Sequence, residues 1–240
     1  MSDVAHSAPA LSAGDHPTRA PGQLDVAFRV LAATGAGAAA DLVALHRHDD
    51  GSLTAVVADV CGHGDQAAAT ATYVRPVVDH HVRRPAAPNI LLERINEDLS
   101  SHVEDVGFLA TAIAASVDPA RRVVSWASAG HAPPHLLGSG RAINGAVPGP
   151  PIGVRAFVGC TTGSCHLPER GDGVLLFTDG LTDVRAADGS RFGAARVSAA
   201  LADLGSQSAH ELVDELKHLA LSFGGGQLAD DVGLVVVRLP

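Results

Sequence analysis

Four acidic positions in this sequence share one local setting, and carboxylates in that setting can hold a hard metal ion. Asp41 follows a small-residue stretch (TGAGAAAD) and opens an apolar run. Asp59 closes the apolar run LTAVVAD and meets the glycine-rich VCGHG. Asp179 closes GVLLFT and meets DGLTD, while Asp230, with Asp231 beside it, stands just before the last apolar run in LADDVGLVVV. A carboxylate at the end of a buried strand is fixed by a rigid scaffold yet faces a loop region. Several brought together repel one another unless a cation intervenes, and oxygen-only donors suit Mg²⁺ or Mn²⁺. Two such ions about 4 Å apart can share a water, lower its pKa and present it to phosphorus. Glycines at 62, 64 and 180 let backbone approach such a site closely. A second reading competes. Asp-Gly after a strand is most often a surface turn, which is the reading for Asp50-Gly51 and Asp188-Gly189. Spacing alone leaves a metal site and a set of turns as alternatives.

The elements that would position these residues follow from periodicity. Residues 24–33, 41–48 and 52–60 read as strands, the last two joined by the Asp49-Asp50-Gly51 turn as a hairpin. Residues 65–84 read as an Ala-rich helix with Asp65 as N-cap and with Pro76 expected to kink or split it. Residues 88–103 read as a helix with Leu91, Leu92, Ile95, Leu99 and Val103 on one face. Residues 109–117 and 122–128 form a second hairpin about Asp118-Pro119. Further strands are expected at 134–137, 156–167, 173–178 and 232–239, and amphipathic helices at 194–204 and 208–222. Hairpins outnumber crossovers, which favours an α+β fold of antiparallel sheets covered by helices. Residues 1–22, rich in Ala, Ser, Pro and Gly, read as a disordered tail, and residues 23–240 as one domain.

Composition narrows the functional classes. The 240 residues carry 17 Lys+Arg against 26 Asp+Glu, a formal charge of −9. That balance argues against a nucleic-acid partner, because neutralising phosphates needs a basic face. No apolar stretch is long enough to span a membrane and no signal peptide is evident, so no membrane association is expected. Cys61, Cys160 and Cys165 do not make a disulfide framework, which fits a reduced, cytoplasmic protein.

Seven blocks, in order, carry a family resemblance: ADLVAL (40–45), ADVCGHG (58–64), FLATAIAASVDP (108–119), SAGHAPPHLL (128–137), PGPPIGV (148–154), LPERGDGVLLFTDGLTDVRAADGSRFG (167–193) and ADDVGLVVVR (229–238). Over residues 24–240 the chain resembles the SpoIIE-like branch of the metal-dependent protein phosphatases, the PPM or type 2C family. The resemblance implies a four-layer αββα sandwich, two antiparallel sheets with helices outside. It implies hydrolysis of protein phosphoserine or phosphothreonine by a metal-activated water, with Asp41, Asp59, Asp179 and Asp230 as the catalytic metal ligands. Asp59 would bridge two Mn²⁺ or Mg²⁺ ions and Val60 would offer its backbone carbonyl. The implied substrate is a phosphorylated anti-anti-sigma factor of the STAS type, in a partner-switching pathway.

The sequence departs from the family pattern at several places. Ala39-Ala40 replace Gly-Gly, Ala44 replaces a second aspartate, Gly233 replaces Ser or Thr, and Cys61 precedes Gly-His-Gly. None removes one of the four matched aspartates, but losses around a metal site cost 10–100-fold in affinity or activity. The alternative function is therefore a catalytically weak or inactive phosphatase-like binding module, and a third is a phosphoesterase acting on small molecules. His63 and His131 read as loop-fixing histidines. His46, His48, His80 and His81 read as solvent-facing, Arg29 as a strand-surface arginine rather than a phosphate contact, and Phe108 and Trp126 as core. Cys61, between Asp59 and His63, is a candidate for inhibition by oxidation.

Overall fold

A computed structural model describes residues 23–62, 64–100 and 109–240. The expected tail (1–22), His63, Val103 and Phe108 lie outside the described residues, as does the Asp65 side chain.

Nine strands and five helices follow in the order β1 (Asp25–Leu31), β2 (Leu42–Arg47), β3 (Leu53–Val60), α1 (Gly64–Val82), α2 (Pro88–Ser100), β4 (Ala110–Asp118), β5 (Val123–Ala129), β6 (His135–Leu136), β7 (Gly163–His166), β8 (Gly173–Phe177), α3 (Asp179–Asp183), α4 (Gly193–Leu204), α5 (Ala209–Phe223) and β9 (Val232–Arg238), among the described residues. One sheet runs β1-β9-β8-β6 and the other β2-β3-β4-β5-β7, and every strand pair is antiparallel.

Period-2 alternation builds three apolar layers from these two sheets. In β3, Leu53, Ala55 and Val57 face the other sheet, whereas Val56, Ala58 and Val60 face α1 and α2. In β9, Val235 and Val237 face the inter-sheet layer, whereas Val232, Leu234 and Val236 face α4 and α5. The central strands are therefore apolar on both faces, and their near-continuous Val/Ala/Leu runs follow from that. Trp126 and Ile113 are fully buried between the sheets. Each such large side chain contributes about 1.5–3 kcal/mol by leaving water. The result is the αββα sandwich. No helix among the described residues is long and apolar enough to cross a membrane.

Several local expectations need correction. Helix α1 runs unbroken through Pro76. Pro76 and Thr72 are exposed, so water can satisfy the Thr72 carbonyl that proline leaves without a donor. The strand expected over 156–167 exists only as β7; residues 153–159 give their backbone groups to α2 side chains instead. Asn96 donates to the Arg155 and Ala156 carbonyls and accepts from Gly153 N–H. The Glu93 carboxylate accepts from Val158 N–H and Gly159 N–H. The short helix α3 was not expected at all. His81 is buried rather than solvent-facing: its Nε2 meets Asp98 Oδ2 at 2.7 Å across the α1–α2 contact.

Candidate metal centre

Antiparallel pairing brings the aspartates to one edge of the sandwich in two steps. In the first sheet, Leu42 pairs with Ala58, so continuing the register by one residue sets Asp41 opposite Asp59. In the second, Phe177 pairs with Leu234, which places Asp179, two residues beyond, beside the start of β9 and the Asp230-Asp231 pair. Face-to-face packing of the sheets then joins the two sets.

Hydrogen bonds fix the junction. Asp41 is 2% exposed, and its Oδ2 accepts a 2.7 Å bond from the Thr178 hydroxyl. Thr178 Oγ1 in turn accepts from Gly233 N–H at 2.8 Å, and Thr178 N–H donates to the Gly233 carbonyl at 3.0 Å. Thr178 occupies the N-cap of α3, yet its side chain does not cap the helix. The hydroxyl serves Asp41 instead. Gly180 is required here: a Cβ on it would stand 1.8 Å from the Asp231 carbonyl oxygen. Gly62 and Gly64, at φ 122° and 69°, carry the chain out of β3 in the left-handed region.

His131 braces the same edge. Its Nε2 lies 2.9 Å from the Phe177 carbonyl, which can only accept, so the proton sits on Nε2. Nδ1 then accepts from the Thr111 hydroxyl at 2.8 Å. Thr111 is the β4 partner of Asp59, and Phe177 is two residues before Asp179. The neutral imidazole thus ties the two sheets together behind the carboxylates. Burial holds its pKa down at about 4, against the partial compensation of the Phe177 bond.

The carboxylates feel one another. Burial first, then the Asp59, Asp231 and Asp230 charges, raise the Asp41 pKa to about 8, against the Thr178 bond that lowers it. Burial first, then Asp179, Asp230 and Asp231, raise Asp59 to about 6. Asp179 is raised by burial and by Asp230 and Asp183. No lysine or arginine among the described residues enters these balances. An all-oxygen set under mutual repulsion fits a hard divalent ion. The four aspartates are neighbours without being closed on one point: among the described residues no three Asp, Glu, His or Cys side chains are gathered tightly enough to hold an ion. Val60 ends β3 beside this edge.

Other sequence candidates lie elsewhere. Arg29 is not a phosphate contact: its guanidinium pairs with Asp214 of α5 at 3.0 Å. Asp50 and Asp188 are turn residues, each accepting from the backbone N–H two residues on, at Ser52 and Ser190. Cys61 is exposed, and partial burial together with the Asp59 and Asp179 charges pushes its thiol up. Two residues escaped sequence reasoning, Thr178 and the role of Asp231, whose carboxylate is taken by the backbone amides of Ala33 and Ala40. The Thr-Asp-Gly block flagged the first; nothing local flagged the second.

Comparison with known proteins agrees with this architecture. The family described as Stage II sporulation protein E (SpoIIE) matches residues 49–240. Phosphoserine phosphatase RsbP of Bacillus subtilis is 28% identical over 151 residues, covering 61% of this chain and 37% of that protein. Phosphoserine phosphatase RsbU of the same organism is 26% identical over 192 residues, covering 79% of this chain and 56% of that protein. The chain thus spans about half or less of the length of these relatives. Among solved structures, the SiaA PP2C domain of Pseudomonas aeruginosa superposes with a TM-score of 0.75 at 21% identity, covering 89% of this chain and 86% of that one. With most of its length matched, from the β2–β3 turn to the last residue, the chain belongs to the SpoIIE family.

Proposed function

We propose that this protein is a metal-dependent protein serine/threonine phosphatase. The observation that carries the reading is the placement of Asp41, Asp59, Asp179 and Asp230 along one edge of the sandwich, where the Asp59 and Asp230 charges raise Asp41, those of Asp179 and Asp230 raise Asp59, and that of Asp230 raises Asp179. These four, with the Val60 carbonyl, would hold Mn²⁺ or Mg²⁺, two ions by the family resemblance. When bound, the metal supplies an activated water and charge neutralisation for the phosphoryl oxygens. The chain's own residues do the positioning. Asp41 is oriented by Thr178, and Thr178 by Gly233. Asp59 sits near the end of β3, where pairing with Thr111 of β4 holds its backbone. His131 stays neutral and holds the two sheet edges in fixed relation, so it is a brace and not a proton donor to the reaction. No covalent enzyme intermediate is needed.

The names of RsbU and RsbP as phosphoserine phosphatases support phosphoserine as the bond cleaved. We take a phosphorylated STAS-type anti-anti-sigma factor as the substrate and the cytoplasm as the place of action. The test is phosphate release from a serine-phosphorylated STAS protein beside p-nitrophenyl phosphate and free phosphoserine, each with Mn²⁺. The reading expects kcat/KM at least tenfold higher on the phosphoprotein; equal or better turnover of the small esters contradicts it.

A second reading, a binding module with weak or no turnover, is favoured by Ala44. That residue is 5% exposed and packs in the apolar layer under the helices, so the acidic group expected there is replaced by core. Folded protein that binds Mn²⁺ but releases no phosphate from any substrate would favour it.

A further inference from the structure

Asp231 stands outside the ligand set named above, and its carboxylate is engaged on the opposite task. Oδ1 accepts a 2.7 Å hydrogen bond from Ala33 N–H, and Oδ2 accepts one from Ala40 N–H. These amides lie at the two ends of the segment that leaves β1 in one sheet and delivers Asp41 and β2 to the other. Thr34 adds two more ties to the same strand entry: its N–H donates to the Leu228 carbonyl at 2.9 Å, and its Oγ1 accepts from Leu228 N–H at 2.8 Å. After Thr34 the segment runs GAGAA (35–39), with no side chain larger than a methyl group. Such a segment gains little from packing, while ordering it costs about 1–2 kcal/mol per residue in backbone entropy. Its conformation has to be held through its amides, and one carboxylate reaches both ends.

Asp231 also touches Asp230 and Gly180. Its own N–H donates to Asp230 Oδ1 at 2.9 Å, and its carbonyl packs where a side chain on Gly180, next to Asp179, would otherwise stand. The contacts are to backbone N–H groups, so they survive the Ala39-Ala40 replacement of the family's glycines.

We infer that Asp231 is a positioning residue: its carboxylate clasps the 33–40 segment at both ends, and this presents Asp41 to the metal. The consequence for metal binding rests on the phosphatase reading; the clasp itself does not. The test combines NMR amide exchange of the metal-free protein with Mn²⁺ titration calorimetry, on the wild type, Asp231→Ala and the same-sized Asp231→Asn. In the wild type, the Ala33 and Ala40 amides should exchange more slowly than those of 37–39. In Asp231→Ala they should exchange at least tenfold faster, with β3 and β9 amides unchanged, and Mn²⁺ affinity should fall 10–100-fold. Asp231→Asn, which keeps one acceptor oxygen, should lie between. If Asp231→Ala does not fold, the Asn variant and the wild-type exchange pattern decide. Fast wild-type exchange at both amides, or exchange and Mn²⁺ affinity unmoved by the substitutions, overturns the inference, as does faster exchange with unchanged affinity. A wild type that binds no Mn²⁺ would instead defeat the metal-phosphatase reading, while the exchange data still judge the clasp.

Discussion

The Thr178 hydroxyl stands between Asp41 and the backbone of Gly233, giving a 2.7 Å hydrogen bond to the carboxylate and receiving a 2.8 Å bond from the amide. A single buried oxygen therefore links the start of β2, the end of β8 and the start of β9. Its neighbour Gly233 leaves just enough room: a Cβ there would lie 3.2 Å from Thr178 Cγ2 and 3.5 Å from Asp41 Oδ2.

Replacing Thr178 by valine keeps the shape and removes the oxygen. Gly233 N–H then loses its acceptor and Asp41 its donor inside the protein. The expected loss is about 1–3 kcal/mol of stability, read from urea unfolding, with Thr178→Ser retaining most of it. A valine variant as stable as the wild type would show that the bond contributes nothing.

The raised carboxylates set a pH dependence of known sign. Asp41 at about 8 and Asp59 at about 6 hold their protons more tightly folded than unfolded. The metal-free fold therefore keeps their full contribution below about pH 4, the unfolded carboxylate value, and loses it as pH rises through about 6 and then about 8. A bound cation removes that penalty. Mn²⁺ should accordingly raise Tm more at pH 8 than at pH 5, and a Tm gain independent of pH would contradict the coupling.

His131 works in the opposite direction. Its pKa of about 4 lies below the ordinary 6.5, so its contribution is complete above about pH 6.5 and is lost as pH falls toward 4. The stake is about 3 kcal/mol across that window. The stability difference between wild type and His131→Gln should shrink from pH 7 to pH 4.5. A constant difference would mean that His131 is not held neutral by burial.

The parts of this molecule legible in the sequence are those governed by local pattern. The hairpins about Asp49-Asp50-Gly51 and Asp118-Pro119, the amphipathic helix over 208–222, and the apolar runs of β8 and β9 all show in neighbouring residues. The block order pointed to four carboxylates that lie along one edge of the sandwich. What escaped depends on partners far along the chain. Residues 156–167 read as a strand, but Glu93 and Asn96 take backbone groups over 153–159. Asp231 had no role in the sequence, because its amide partners at Ala33 and Ala40 lie far back along the chain, |i−j| 198 and 191. His81 looked solvent-facing because its Asp98 partner sits on the next helix.

Cys61 should be a poor redox sensor in the metal-free protein. Its thiol is exposed, but partial burial and the Asp59 and Asp179 charges disfavour the thiolate that oxidants attack. Iodoacetamide should modify it more slowly than free glutathione at pH 7.5, and faster once Mn²⁺ neutralises the carboxylates. Modification faster than glutathione without metal would restore the oxidation hypothesis.

The most direct measurement is p-nitrophenyl phosphate hydrolysis by the wild type and by Asp59→Ala, each in EDTA, Mg²⁺ and Mn²⁺, with circular dichroism confirming the fold. Turnover is expected only with added metal, with a loss of at least about a thousandfold, roughly 4 kcal/mol of transition-state stabilisation, in Asp59→Ala. Turnover that survives EDTA, or that survives the loss of Asp59 in folded protein, would contradict a metal centre built on these aspartates.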